Sequence, residues 1–418
     1  MNYTESISYL RGTNRAFCKP GTDRVEALCA AVGNPQKDLP VIHVAGTNGK
    51  GSFCVILASL LKEAGYTVGR FSSPALCKIN ECVSVNGGEI SDEDFARLVS
   101  ILQPFADTEA DRPTEFELLT VLAFLYFQEK HCDYVILECG MGGLTDATNV
   151  IERPLLSVIT GVSVDHASFL GDTVDKIAEQ KAGIIKDSCP VLWCGTDPAA
   201  EAVCRKHALC HAAPLYTVPR QALIVKNADL SGTVFDFDGY TDLSLSLLGL
   251  YQADNAANAL TALEILNQNL SDGALRAGLR KARWPGRFEI VSHDPLIIAD
   301  GGHNPEGVNR AVESIETYFS NEKVIFVTGI MADKDYHTVA ARMASVAQAV
   351  YTVTPPNARA LPAKEYAEVF RTLGIPATPC ATVAEGIAKA LSANSPVICL
   401  GSLYMYDEIR QALSPENR

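Results

Sequence analysis

Apolar and polar positions along the first half of the chain fall into short continuous apolar runs separated by longer stretches with helical periodicity. VIHVAG (41–46) is too short for a helix and reads as a buried strand entering a glycine-rich loop. SFCVILASLLKEAG behind it carries apolar residues at helical spacing and closes on Gly65. YVILECG (134–140) and LLSVITGVS (155–163) are further short apolar runs, bounded by glycines and Pro154, as central parallel strands are. SDEDFARLVSIL (91–102) opens with a helix cap and an acidic first turn. Strands separated by helices predict an α/β fold with a doubly wound, mostly parallel sheet.

The texture changes over 220–248, where short alternating segments with Ser-Gly and Asp-Gly turns predict a small antiparallel addition. A helical pattern returns in YQADNAANALTALEIL, and RWPGRFEIVSHDP then breaks it. Beyond the break, PLIIAD (295–300), KVIFVTG (323–329), AVYTV (349–353) and PVICLGS (396–402) read as strands with helical stretches between them. The expected organisation is a first α/β domain over 1–290, built around the strand, glycine-rich loop and helix at 41–65, and a smaller Rossmann-like α/β domain over 291–418.

A length of 418 residues suits two such domains. The net charge of −14 argues against a broad nucleic-acid surface, so any bound anion has to be held locally. The N-terminus has no basic start followed by an apolar run and no segment approaches a membrane span, which predicts a cytoplasmic chain without a membrane partner. Thirteen cysteines without paired spacing fit a reducing compartment. In CRKHALCH, the residues Cys204, His207, Cys210 and His211 lack the usual zinc spacing, and a plain helix surface explains them better.

Candidate chemistry concentrates at strand ends. VAGTNGKGSF (44–53) has the Gly-Lys and hydroxyl of a phosphate loop, but Val44 stands where the common pattern has glycine and Gly51 intervenes before Ser52. Lying between a strand and a helix, it can present backbone N–H groups to a phosphate, with Lys50 reaching the terminal phosphates and Ser52 offering a hydroxyl to Mg²⁺. The plainer alternative is a glycine-rich turn with an incidental lysine. Glu138, Asp165 and His166 also follow apolar runs, where ligands of open α/β sheets sit. The lysines of EQKAGIIK (179–186) read by default as solvated. In DGGHNPEG (300–307), Asp300 and His303 lie on a strand-to-helix turn, and capping accounts for them equally well. Arg287 in WPGRFE suits either a salt bridge at the domain junction or a phosphate contact.

Taken together, HVAGTNGKGS, FSSPAL, TEFELLT, ECGMGGLTDATNV, VDH, KAGIIK, YQADNAANA, WPGRFE, DGGHNP, DKD and GSLY resemble the folylpolyglutamate synthases and bifunctional dihydrofolate synthases, ATP-dependent ligases of the Mur type. The resemblance runs in order from about residue 20 to 405. It implies an ATP phosphate loop at Thr47, Asn48, Gly49, Lys50, Gly51 and Ser52, and nucleotide contacts at Asn255, Arg287 and Asp300, with His303 close by. Ser52, Ser73, Glu138 and His166 match residues that bind two Mg²⁺ ions. Lys181 matches a lysine that is carbamylated into a metal ligand, which reverses the default reading of that residue, and Lys50, His166 and Lys181 become the catalytic candidates. Thr22, Asp23 and Arg24, with Thr114, Glu115, Phe116 and Glu117, match positions near the folate substrate. The implied partners are small molecules only, ATP, L-glutamate and a folate or dihydropteroate, and the implied state is a monomer.

The chain departs from the family pattern at Ala75, where a histidine is usual, and at Cys82 and Leu144, where arginines are usual. These departures touch the acid substrate and leave ATP binding alone. They motivate two alternatives, a Mur-type amide ligase for another acid or amine, and a nucleotide or folate binder without turnover.

Overall fold

The computed structural model describes residues 1–13, 20–108, 111–165, 167–320, 322–393 and 395–414. The chain separates into two compact units, Met1–Arg220 with Asn255–Lys281, and Gln221–Asp254 with Ala282–Arg418.

In the first unit the strands are β1 (Val41–Ala45), β2 (Val68–Phe71), β3 (Val83–Val85), β4 (Gly88–Glu89), β5 (Tyr134–Glu138), β6 (Leu156–Ile159), β7 (Val191–Trp193) and β8 (Leu215–Thr217). They form an eight-stranded sheet in the order β4-β3-β2-β5-β1-β6-β7-β8. Pairing is parallel from β2 across to β8, and β3 and β4 add an antiparallel edge. The unbroken apolar character of β1, β5 and β6 follows from their place in the middle, where every position is buried. Helix Lys50–Glu63 packs on β2 and β5, and its apolar residues Phe53, Ile56, Leu57 and Leu60 are fully buried. Thr114 caps helix Glu115–Glu129 with a capping box to Glu117, so the start of that helix is set by its own sequence.

The second unit carries a three-stranded antiparallel sheet, β9 (Ile224–Asp229), β10 (Gly232–Phe237) and β11 (Tyr240–Leu245), in the order β11-β10-β9. This is the small antiparallel addition that the alternating segments and turns predict. Its larger sheet comprises β12 (Glu289–His293), β13 (Leu296–Asp300), β14 (Val324–Thr328), β15 (Ala347–Thr352), β16 (Ala377–Pro379) and β17 (Val397–Leu400), in the order β12-β13-β17-β14-β15-β16. All neighbours are parallel except β12 with β13. Among the described residues no helix is long and apolar enough to cross a membrane.

Candidate active site

The glycine loop leaves β1 at Ala45 and enters the helix at Lys50. Two of its glycines are required by their surroundings. A Cβ on Gly46 would lie 1.9 Å from Thr160 Oγ1, and Gly49 combines a φ of +86° with a Cβ position 2.8 Å from Asn255 Oδ1. The loop is braced by the segment after β6. Thr47 N donates to the Gly161 carbonyl at 2.9 Å, Thr160 Oγ1 donates to the Asn48 carbonyl at 2.8 Å, and Thr47 Oγ1 exchanges 3.1 Å hydrogen bonds with the backbone of Ser163. Lys50 folds back over the loop, Nζ donating to the Gly46 carbonyl at 3.1 Å and standing 3.9 Å from Glu138 Oε1. Ser52 in the first turn is buried, as is Glu138 at the end of β5.

Lys181 overturns the default expectation of a solvated lysine. It sits at the end of helix Val174–Ala182 with 3% of its surface exposed. Burial and the nearby Lys50 lower its ammonium from 10.5 to about 7, so much of it is a neutral amine at neutral pH. The loop after β5 is clamped onto this helix end. Leu144 N donates to the Gln180 carbonyl at 2.7 Å, and Asn149 Nδ2 donates to the carbonyls of Leu144 and Gly183 at 3.0 and 3.2 Å. Behind the loop, buried Asp146 accepts from Met141 N at 2.9 Å and from Thr148 Oγ1 at 2.6 Å. That orients Thr148 to accept from His43 Nε2 at 2.8 Å, and burial holds His43 neutral by lowering it to about 3. This network escaped the sequence reading because His43 sits inside an apolar strand and has no motif around it.

His166 lies outside the described residues. Ser73 follows β2 on a partly exposed turn, and Asp165, close enough to favour the Lys181 cation, follows β6. Among the described residues no three His, Cys, Asp or Glu side chains form a ready metal cluster. The oxygens of Ser52, Ser73 and Glu138 are nonetheless the hard donors Mg²⁺ takes, and a carbamate on Lys181 would add another. Of the CRKHALCH residues, His207 is engaged with Glu179 and His211 Nδ1 with Asp187 at 2.6 Å, while Cys204 is fully buried and Cys210 is exposed.

The folate-substrate candidates converge. Arg24 donates through Nε and Nη2 to the buried Glu117 at 2.7–3.1 Å and through Nη1 to Asp111 at 2.8 Å. Thr22 Oγ1 donates to Glu26 at 2.5 Å, Asp23 opens the helix Asp23–Ala31, and burial raises the Glu115 carboxyl. Phe116 connects this group to the loop after β5, because a Cβ on Gly140 would stand 2.6 Å from its ring, which also packs 5.7 Å from Phe71.

In the second unit Asp300 ends β13, buried, and accepts from Phe288 N, Gly302 N and Tyr251 Oη at 2.8, 2.7 and 3.2 Å. His303 Nδ1 donates to the Gly301 carbonyl at 2.9 Å. Arg287 lies against Gly301, whose Cβ would meet Nη1 at 2.2 Å. Arg287, Asp300 and His303 therefore meet on one turn, while Asn255 stands beside Gly49 in the first unit.

Residues 44–263 match the Mur ligase middle domain, and residues 286–403 match the Mur ligase glutamate ligase domain. The chain is 40% identical to the dihydrofolate synthase/folylpolyglutamate synthase of Bacillus subtilis, covering 98% of this chain and 99% of that protein. The chain belongs to the folylpolyglutamate synthase/dihydrofolate synthase family of Mur ligases. Two solved members share its fold. The Mycobacterium tuberculosis folylpolyglutamate synthase complexed with ADP is 27% identical with a TM-score of 0.91, covering 98% of this chain and 97% of that one. Escherichia coli FolC in complex with DHPP and ADP is 30% identical with a TM-score of 0.89, covering 100% and 99%. As a Mur ligase the chain is an ATP-dependent enzyme, and the irregular spacing of its glycine loop sits within the matched middle domain.

Proposed function

We propose that this ligase joins L-glutamate to the carboxylate of a pterin-bearing acid, dihydropteroate or a tetrahydrofolate, by way of an acyl phosphate. The B. subtilis relative carries both activities in its name, and the E. coli neighbour holds DHPP with ADP. The observation that carries the reading is Lys181, a buried amine lowered to about 7 by burial and by the nearby Lys50, which itself stands 3.9 Å from Glu138. A lysine kept as a plain cation gains nothing from that burial, whereas carbamylation needs the neutral form.

In that chemistry the neutral Lys181 Nζ attacks CO₂ and releases one proton, which leaves a carbamate anion where the uncharged amine stood. Ser52, Ser73, Glu138, His166 and the carbamate would hold two Mg²⁺ ions. When bound, the ions offset the charge of the transferring phosphoryl group. The loop 46–52 and Lys50 bind the terminal phosphates, with Asn255 beside Gly49. Arg287, Asp300 and His303 are the nucleotide contacts of the second unit. A substrate carboxylate oxygen attacks the γ-phosphorus as the bond to ADP breaks. The glutamate amine then attacks the acyl carbon, loses a proton, and expels phosphate. Arg24 and Glu117 act by shaping the wall that Phe116 presents to the loop at Gly140. The enzyme works on small molecules as a monomer in the cytoplasm.

Leu144, 48% exposed, favours one second reading, a ligase of this family for a different acid. An ADP-release assay with L-glutamate and dihydropteroate, tetrahydrofolate or no pterin separates the two. ADP above background with neither pterin rejects the folate reading.

A further inference from the structure

Strand β2 carries a guanidinium that the functional assignments so far leave unused. Arg70 pairs with Ser84 of β3 on one side and Ile136 of β5 on the other. Because side chains alternate along a strand, Arg70, Ser72, Ile136 and Glu138 share one face of the sheet. The helix Lys50–Glu63 covers that face, and its Cys54 lies within electrostatic reach of both Arg70 and Glu138. Arg70 Nη1 donates to Ser72 Oγ at 2.8 Å, so its head runs toward the carboxyl end of the strand, the ligand end of an open α/β sheet. The side chain is surrounded by protein yet keeps partial solvent access. Burial lowers its pKa while Glu138 opposes that effect.

Cys82 sits across from Ser72, whose N–H donates to the Cys82 carbonyl at 3.0 Å. Its thiol is pushed up to about 12 by burial, with Arg70 and a backbone hydrogen bond from Ala75 pulling against the rise. Ala75, Cys82 and the Arg70 head therefore occupy one corner beside Glu138.

We infer that Arg70 is a substrate-positioning residue of this ligase, its guanidinium held on Ser72 at the end of β2 so as to present positive charge to a substrate carboxylate entering beside Glu138. The inference rests on the ligase reading above and adds a cation from β2 at the corner where residue 82 is uncharged. A carboxylate is the fitting ligand, because a guanidinium fork matches its two oxygens. Glutamate and the pterin acid both carry one.

The test measures ADP formation by wild type, R70M, R70K and the double variant R70M/C82R, varying glutamate, pterin acid and ATP separately. R70M is expected to raise KM for one of the two carboxylate substrates by about tenfold or more, with KM for ATP within about twofold. R70K is expected to fall between, since it keeps the charge without the fork. The double variant, which places a guanidinium in the same corner from the facing segment, is expected to recover most of the loss. Unchanged KM for both carboxylates, or a fall in kcat with every KM unmoved, overturns the inference. If wild type shows no glutamate-dependent turnover with any pterin, the ligase reading fails on its own. Calorimetric titration of wild type and R70K with glutamate and with dihydropteroate then decides the role of Arg70, and equal affinities overturn it.

Discussion

Lys181 offers a test in which stability and function pull in opposite directions. Its ammonium is lowered from 10.5 to about 7 by burial and by Lys50. Between those two values the unfolded chain binds a proton that the folded chain does not, so stability rises with pH across that window and is flat below it. At about 1.4 kcal/mol per pH unit, the full interval from 10.5 to about 7 corresponds to a penalty of about 5 kcal/mol below pH 7. About 2 kcal/mol of it is relieved between pH 7 and 9. Lys181→Met removes the titrating group at similar volume. In metal-free, CO₂-free buffer, urea unfolding should show the variant more stable than wild type at pH 7, with the gap narrowing by about 2 kcal/mol at pH 9. Added bicarbonate should stabilise wild type alone, and the variant should lack turnover. A gap that stays constant from pH 6 to 9 refutes the desolvated amine, and full activity of the variant refutes the carbamate.

Other expectations follow from the same geometry. Gly49→Ala meets Asn255 in a left-handed backbone conformation, so it should lower stability by about 1–3 kcal/mol and weaken ADP binding by calorimetry; normal ADP affinity contradicts the packing argument. Glu117→Ala leaves Arg24 with Asp111 but without its buried partner and should cost about 3 kcal/mol, read as a lower Tm. Tyr251→Phe removes one donor to Asp300 and should cost about 1 kcal/mol, with the backbone donors of Phe288 and Gly302 still in place. His43 is lowered from 6.5 to about 3, so its contribution is present above pH 6.5 and lost as pH falls toward 3. His43→Gln should flatten the acid limb of the stability curve, and an unchanged limb would show that His43 does not titrate there.

The chain's periodicity left the parallel strands β2, β7, β8 and β16 illegible but was enough to read the central strands β1, β5 and β6, the strands β13, β14, β15 and β17, the small antiparallel sheet and the helix behind the glycine loop. Those features depend on local burial, which a run such as VIHVA or YVILE states by itself. Motif spacing likewise placed Lys50 and Ser52 where a glycine loop enters a helix and Glu138 at the end of a strand, because a strand-to-helix loop and a strand end are local structures. Tertiary structure decided the environments of single residues. Lys181 and Lys186 look alike in KAGIIK, yet only the packing of the loop 140–145 against the helix end leaves Lys181 3% exposed. Arg70 in VGRF gives no sign that its head meets Ser72 and nears Glu138, since that depends on strands distant in sequence pairing in register. His43, Asp146 and Thr148 form one network only because β1 and β5 lie side by side. Sequence reports what a residue and its neighbours prefer; the dielectric and charge around a side chain belong to whatever the fold brings against it, and that sets the chemistry of this site.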